Sequence, residues 1–80
     1  MKVFVKYFGL IKDETLLNEE LIELNPNTSV QNFIKDKLIT KYPSLSMIDF
    51  RIAINNELCE NNQEISDEDN LSVLPFFSGG

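Results

Sequence analysis

The chain has 80 residues, 42% hydrophobic and 25% charged, so it can enclose one hydrophobic core, and we expect a single domain spanning 1–80. Its net charge of −6, with seven scattered Lys and Arg residues, disfavours nucleic acid as a direct ligand, and no apolar run approaches the roughly 20 residues that cross a bilayer. A single cysteine, Cys59, excludes an intrachain disulfide, and the first residues lack a secretory signal, so we expect a cytoplasmic protein.

Residues 2–8 predict the first strand, because β-branched and aromatic side chains alternate there between two faces. One face carries Val3, Val5 and Tyr7, and the other carries Phe4 and Phe8. Segment 9–18 is polar and interrupts the alternation, and residues 19–24 then predict a second strand. We expect the two strands to form an opening hairpin.

A helix is predicted over 29–42. Thr28 or Ser29 can cap its first turn, and apolar side chains then recur at helical spacing. These side chains are Val30, Phe33, Ile34, Leu38 and Tyr42. Pro43 should end the helix, because the residue before a proline is pushed out of the α region.

Three further strands are predicted, at 50–54, 57–59 and 71–76, with a turn at Asn55-Asn56 between the first two. The acidic run Asp67-Glu68-Asp69 before the last strand is typical of a turn. Because a single helix can cover only one face of a mixed sheet, these elements predict an α+β fold.

The end of the chain, Leu-Pro-Phe-Phe-Ser-Gly-Gly at 74–80, resembles the small subunit of molybdopterin synthase, in the MoaD/ThiS family of ubiquitin-like sulfur carriers. That family typically ends in Pro-Pro, an apolar residue, Ser or Thr, and Gly-Gly, after an Asp-Gly-Asp turn. Here Glu68 stands in place of the turn glycine, and Phe76 replaces the second proline. Val-Lys-Tyr-Phe-Gly at 5–9 and Ala-Ile-Asn at 53–55 are also similar to the family's pattern.

The resemblance implies a β-grasp fold, with a mixed sheet packed on one main helix, and a working group at the C-terminal carboxylate of Gly80. An E1-like adenylating enzyme of the MoeB type would use ATP to adenylate Gly80, and sulfur would then displace AMP to leave a thiocarboxylate. The large, MoaE-type subunit of molybdopterin synthase would receive the tail, and the thiocarboxylate sulfur would build the pterin dithiolene of the molybdenum cofactor. No cofactor would stay bound to this chain.

The terminal residues suit that task physically. Glycines lack a Cβ, so Gly79 and Gly80 can thread a narrow channel and bring the carboxyl group against another enzyme's reactive centre. With Phe77 and Ser78 they form the tail, residues 77–80. The alternative is that the tail is only the remnant of a flexible linker. The apolar strand directly before the tail argues against this interpretation.

The rest of the chain offers little for catalysis on its own. It contains no histidine and no glycine-rich phosphate loop, and we expect no metal site. The acidic run 67–69 fits a solvated turn better than a carboxylate site, and Cys59 lacks a companion base and fits a small strand residue better than a nucleophile.

The sheet face away from the helix is the predicted partner-binding surface. Four apolar side chains should lie on it: Phe4, Phe8, Leu74 and Phe76. A strand shifted by one residue would instead turn some of them into the core.

Two other functions remain open from the sequence. The chain could carry sulfur for thiamine, tRNA thiolation or cysteine synthesis, since those carriers share the terminal Gly-Gly. It could also be a ubiquitin-like modifier whose Gly80 forms an isopeptide bond with lysine, or an interaction domain in which the tail is incidental.

Overall fold

The structure is a computed structural model that describes residues 1–76. Its strands are β1 Lys2–Tyr7, β2 Glu19–Glu23, β3 Phe50–Ile54, β4 Glu57–Leu58 and β5 Asn70–Pro75. They form one mixed sheet in the order β2-β1-β5-β3-β4. The central strand β5 pairs in parallel with β1 and antiparallel with β3. The predicted α+β, β-grasp class is confirmed, with a main helix packed against one face of this sheet.

The main helix covers 30–41 and begins where the sequence predicts. The hydroxyl oxygen of Ser29 accepts a hydrogen bond from the backbone N–H of Asn32 at 3.2 Å, and the carbonyls of Gln63 and Asn61 satisfy two further N–H groups of the first turn. Its first turn, Val30–Phe33, is followed by a wider π-helical segment, Ile34–Leu38, and a last turn, Ile39–Lys41. Tyr42 then leaves the helical region at φ −129°, as expected before Pro43.

The π-helical segment explains how the helix buries its largest side chains. Phe33 and Leu38 are five residues apart and both are fully buried. A regular helix with 3.6 residues per turn would point them in different directions, and the wider turn lets both face the sheet. A 3₁₀ helix at Pro43–Met47, which the sequence analysis did not predict, then buries Leu45.

Segment 9–18 is not the irregular connection that its polar composition predicted. Residues Gly9–Thr15 form a helix, α1, with Ile11 and Thr15 buried on its inner side. The strands that it joins do pair antiparallel, as expected, but through a helix instead of a hairpin turn. The prediction failed because a seven-residue helix with two buried positions leaves too few apolar repeats to show a helical period.

The remaining boundaries differ from the predicted ones by one residue. β1 ends at Tyr7, before Phe8; β2 ends at Glu23; β4 ends at Leu58; and β5 runs one residue earlier than 71–76. The turn at Asn55-Asn56 is confirmed, since both residues have positive φ, 50° and 73°, as a tight hairpin requires. None of the helices formed by residues 1–76 combines the length and apolar surface that crossing a bilayer requires.

One core lies between the sheet and the main helix. The alternation in β1 is confirmed, because Val3, Val5 and Tyr7 are buried there. The other strands add Ile52, Leu71 and Val73, and the helices add Ile11, Val30, Phe33 and Leu38. Burying such side chains stabilises a domain by about 1.5–3 kcal/mol each, so this face of the sheet is firmly specified and the other is left to solvent.

Glu20 links the sheet to the end of the main helix through hydrogen bonds. Its carboxylate accepts hydrogen bonds from the hydroxyls of Tyr7 and Tyr42, both at 2.6 Å, and from the ammonium of Lys41. Burial alone would raise the pKa of this carboxyl, but the three donors outweigh burial and lower the pKa below its ordinary value. The two tyrosine rings also meet edge to face, with centroids 5.9 Å apart.

Candidate functional site

The predicted reactive residues lie at the end of the chain. Phe77, Ser78, Gly79 and Gly80 fall outside the residues that the structure describes. What the structure does define is the end of β5, the strand from which the tail continues. The candidate site is therefore described from the contacts that hold Val73, Pro75 and Phe76.

The backbone of Gly9 lies close to the ring of Pro75. Gly9 opens α1 with φ +53°, a conformation that side-chain-bearing residues adopt at a cost. A Cβ at this position would lie 3.1 Å from Cγ of Pro75. Glycine is thus favoured here for two reasons, its backbone angle and the approach of the proline ring. The contact ties the start of α1 to the end of the central strand.

Phe8 explains why a proline is tolerated in a central strand. Its N–H donates to the carbonyl of Val73 at 3.2 Å, which is the last bond between the β1 side and β5. Its own carbonyl accepts from the N–H groups of Ile11 and Lys12 in the first turn of α1. The acceptor that residue 75 would otherwise use is already occupied, so Pro75 loses no hydrogen bond by lacking an N–H.

The other side of β5 is held by the segment before β3. Pro75 pairs with Phe50, and the N–H of Phe76 donates to the carbonyl of Asp49 at 3.0 Å. Phe76 is thus anchored by its backbone although its side chain is 53% exposed. The chain is fixed on both sides of β5 up to the residue that precedes the tail.

The sheet face away from the main helix is called the open face here. It carries the alternate residues of each strand, among them Phe4, Lys6, Leu21, Arg51, Ser72 and Leu74. Phe4, Phe8 and Phe76 are 47%, 42% and 53% exposed, and Leu74 is half-buried. The predicted exposure of the aromatic residues is confirmed, and their part in partner binding stays a prediction.

These four residues do not form one patch. The register that pairs Tyr7 with Val73 brings Phe8, Leu74 and Phe76 to the end of the sheet from which the tail continues; we call them the tail-end group. Phe4 lies opposite Asn70, four residues before Leu74, which is about 13 Å along the strand. Phe4 thus lies on the predicted face but apart from the tail-end group, where it is paired with Leu21 across β1 and β2, and its part in partner binding stays a prediction.

Charge is distributed unevenly over the sheet. Between residues 52 and 76 there are six acidic side chains and no Lys or Arg, so the whole net charge of −6 originates there. Three of the six are Asp67, Glu68 and Asp69, in the turn where β5 begins. The tail end of β5 is about 20 Å away and carries the exposed Arg51 beside Leu74. The tail end, where Arg51 is accompanied by Asp49, is thus less acidic than the turn that precedes β5.

Two residues that the sequence raised as chemical candidates have structural roles. The thiol of Cys59 is half-buried and donates to the carbonyl of Ile52 at 3.2 Å. Burial raises the pKa of this thiol, against a smaller opposing effect of Arg51, so the unreactive protonated form is favoured. The carboxylate of Asp69 accepts from the N–H of Ser66 and from the amide of Asn55, which closes the turn.

Some residues of the site escaped the sequence analysis. Gly9 was noted only as part of a similar stretch, and Asp49 was not considered, because their contacts with β5 join distant parts of the chain. Leu21 was assigned to a strand without a face. The alternation of Glu19, Leu21 and Glu23 with Glu20 and Ile22 was the signal that could have placed it on the open face.

The sequence also matches a family model. Residues 5–80 match the model of the ThiS family. The match covers β1 from Val5 onward, the remaining strands and helices, and the tail.

Solved structures give a consistent likeness. A putative molybdopterin converting factor subunit 1 from Pyrococcus furiosus is 26% identical, with a TM-score of 0.86 over 92% of this chain and 95% of that one. In the complex of subunits 1 and 2 of molybdopterin-converting factor from Helicobacter pylori, the similar chain is 26% identical, with a TM-score of 0.68 and full coverage of both chains. SAMP1 from Haloferax volcanii, at 18% identity and a TM-score of 0.83 over the full length of both chains, shares the fold.

Proposed function

The chain belongs to the ThiS/MoaD family of ubiquitin-like β-grasp sulfur carriers, and from that premise we propose that it is the sulfur-carrying small subunit of a molybdopterin synthase. Its working group is the carboxylate of Gly80. The chain itself does not catalyse the reaction, because it supplies a reactive terminus and the partner enzymes supply the catalytic groups.

The observation that carries the proposal is the backbone anchoring of the end of β5. Phe8 bonds to Val73 and Gly9 lies against Pro75 on one side, and Phe76 bonds to Asp49 on the other, so the central strand is held up to the last described residue. Four residues then separate this anchor from the end of the chain, and an extended chain of that length spans about 13 Å. A rigid anchor before a short glycine-ended tail suits delivery of a terminal group into a partner's active site.

The chemistry proceeds in two steps on the terminal carboxyl group. An E1-like adenylating enzyme uses ATP: an oxygen of the Gly80 carboxylate bonds to the α-phosphorus, and pyrophosphate leaves. A sulfur nucleophile then attacks the carbonyl carbon, and AMP leaves with the bonding electrons of the C–O bond. With hydrosulfide as this nucleophile, loss of its proton after the attack leaves a thiocarboxylate, whose sulfur then attacks a cyclic pyranopterin phosphate in the large subunit.

The choice of pathway is supported by the solved structures at 26% identity. Both are described as molybdopterin converting factor subunit 1 or its complex with subunit 2, and both are covered over at least 95% of their length. By analogy, the partner that receives the tail is a large subunit of the MoaE type, and the tail-end group of Phe8, Leu74 and Phe76 is the surface on which it docks.

The proposal is tested by supplying the thiocarboxylated chain to alternative acceptors. The carrier is first charged with an adenylating enzyme, ATP and a sulfur source, and intact mass spectrometry measures exchange of one oxygen for sulfur. The charged chain is then offered either a MoaE-type subunit with cyclic pyranopterin phosphate or a thiazole-forming enzyme of thiamine synthesis. Dithiolene formation supports the assignment. Turnover with the second acceptor alone would move the chain to another sulfur pathway, and an isopeptide bond to lysine without thiocarboxylate would make it a protein modifier.

A further inference from the structure

Within residues 1–76, the outer edge of β2 carries backbone groups without a partner strand. β2 lies at the end of the described sheet, next to β1 alone. Met1 and Leu24 exchange both of their backbone hydrogen bonds, at 2.7 Å each, and the N–H of Tyr7 donates to Asn18. Since such pairs alternate along an antiparallel ladder, Ile22 and Glu20 also bond inward to β1. The N–H and C=O groups of Glu19, Leu21 and Glu23 therefore point to the free edge.

This edge is flanked by a depression on each side of the sheet. On the open face, a cavity of about 310 Å³ has Phe4 and Leu21 as its apolar walls and is rimmed by Lys6 and Glu19. On the helix side, a shallower groove of about 460 Å³ runs between Ile22 and the helix residues Lys37 and Thr40. Leu21 borders both. A strand added to the edge would place one set of alternate side chains beside Leu21, at the outer wall of the open-face cavity, and the other set at the helix-side groove.

From this juxtaposition we propose that the free edge of β2 binds an extended segment of another protein by antiparallel strand addition. The segment has the pattern basic, any residue, apolar, any residue, basic. The basic side chains lie opposite Glu19 and Glu23, and the apolar one lies beside Leu21, which forms the outer wall of the Phe4 cavity. Opposite charges on directly facing positions stabilise a strand pair.

The charged side chains on β2 indicate which kind of segment binds its free edge. Among residues 1–76 the one ion pair is Lys41 with Glu20, on the helix side of β2. Glu19 and Glu23 face Lys6 and Lys2 of β1 on the open face, and both are exposed, so an added strand would meet their outer side. A second copy of this chain is disfavoured in the register centred on Leu21, because antiparallel pairing of β2 with itself then places Glu19 opposite Glu23 twice. A basic segment would instead continue the alternation of charge that Lys6 with Glu19 and Lys2 with Glu23 begin.

The surface is separate from the proposed sulfur chemistry. In the sheet order, β1 lies between β2 and the strand that ends in the tail. A bound segment would therefore leave the tail-end group accessible, and the same carrier could dock on a partner at a second point.

The test uses a defined probe, an acetylated and amidated peptide Gly-Ser-Lys-Thr-Val-Thr-Lys-Ser-Gly, whose palindromic core fits either chain direction. Amide chemical shifts of the full-length, isotope-labelled protein are followed during titration. The expected shifts concentrate at residues 19–23. A matched peptide with Glu in place of both Lys should bind about tenfold more weakly, and the Glu19→Gln/Glu23→Gln protein should lose most of that preference.

Two proline substitutions, at opposite edges of the sheet, distinguish strand addition from nonspecific binding. Leu21→Pro removes an outward N–H and should abolish binding. Leu58→Pro should not affect it, although Leu58 is equally exposed and also points its N–H outward from an edge strand, β4. Should Leu21→Pro fail to fold, peptide N-methylation answers the same question: methylation at Val should abolish binding, and methylation at the following Thr should preserve it.

Three results would overturn the proposal. They are equal binding of both N-methylated peptides, shifts centred on Phe8, Leu74 and Phe76, and the absence of saturable binding at millimolar peptide. Concentration-dependent dimerisation abolished by Leu21→Pro would also contradict it, by assigning the edge to a second copy of the chain.

Discussion

Gly9 and Pro75 meet where the first helix begins and the central strand ends, and a Cβ on Gly9 would lie only 3.1 Å from Cγ of Pro75. Gly9→Ala should therefore cost about 1–2 kcal/mol of unfolding free energy, from the positive φ and the contact with the proline ring together. Chemical denaturation measures the loss. Part of this loss of unfolding free energy should disappear when Gly9→Ala is combined with Pro75→Ala, because the proline ring is then absent. An alanine variant as stable as the parent would show that the contact constrains nothing.

Glu68 occupies a turn position that favours glycine. Its φ is +66°, a left-handed conformation that costs a residue with a Cβ about 1–2 kcal/mol. Glu68→Gly should relieve this strain and raise the unfolding free energy by about 0.5 kcal/mol, after the extra flexibility of glycine in the unfolded chain is subtracted. Glu60→Gly, at an exposed loop position without positive φ, is the control and should destabilise. Equal effects of the two substitutions would contradict the strain argument.

The carboxylate of Glu20 should make stability depend on acid pH. Its pKa in the folded protein lies below the ordinary value of 4.5, because the hydrogen bonds from Lys41, Tyr42 and Tyr7 outweigh the effect of burial. The stabilisation is therefore fully present above about pH 4.5 and is lost as the pH falls through the folded pKa. Unfolding free energies of the parent and Glu20→Gln should differ by about 1–3 kcal/mol at pH 7 and converge toward pH 3.

Glu57→Gln is the matched control for this pH series, because Glu57 is exposed and makes none of these bonds. At each pH, the unfolding free energy of Glu57→Gln should stay within about 0.5 kcal/mol of the value for the parent. A constant gap between the parent and Glu20→Gln across the whole pH range would show that Glu20 acts by packing alone.

Three phenylalanines should separate folding from binding. Phe33 is fully buried, so Phe33→Ala should cost about 3–5 kcal/mol of stability. Phe8 and Phe76 are about half exposed, and their alanine variants should change stability by less than about 0.5 kcal/mol. Their affinity for a MoaE-type large subunit should nevertheless fall by about 2 kcal/mol, close to thirtyfold.

Denaturation and calorimetric titration of the same variants check both halves of that prediction. If Phe8→Ala and Phe76→Ala unfold readily yet bind normally once folded, the two aromatics belong to the core and the tail-end group is not a docking surface. The chemistry at Gly80 would be unaffected by that result.

The sequence was sufficient to predict elements whose pattern is local. The alternation of Val3, Val5 and Tyr7 identified the buried face of β1, and Ser29 marked the start of the main helix, because both signals act over a few neighbouring residues. The short helix α1 was missed. Its buried residues Ile11 and Thr15 form a single helical repeat, and the exposed Leu10 next to them obscures it.

The reactive end of the candidate site could be predicted from the sequence, but the contacts that anchor the end of β5 could not. A terminal Gly-Gly is visible in the sequence, whereas the contact between Gly9 and Pro75 and the bond from Phe76 to Asp49 depend on the strand order. That order places β5 between β1 and β3, and no local pattern specifies it.

The central claim is that Gly80 carries the sulfur, and intact mass spectrometry of the charged protein tests it most directly. The parent and a variant lacking Gly80 are each incubated with an E1-like adenylating enzyme, ATP and a sulfur source. The fold should be retained in both, since a residue beyond the last strand carries little packing energy. We predict that the parent gains the mass of one oxygen-to-sulfur exchange, located at Gly80 by fragmentation, and that the shortened chain gains none and transfers no sulfur. Full sulfur transfer by the shortened chain would contradict the account.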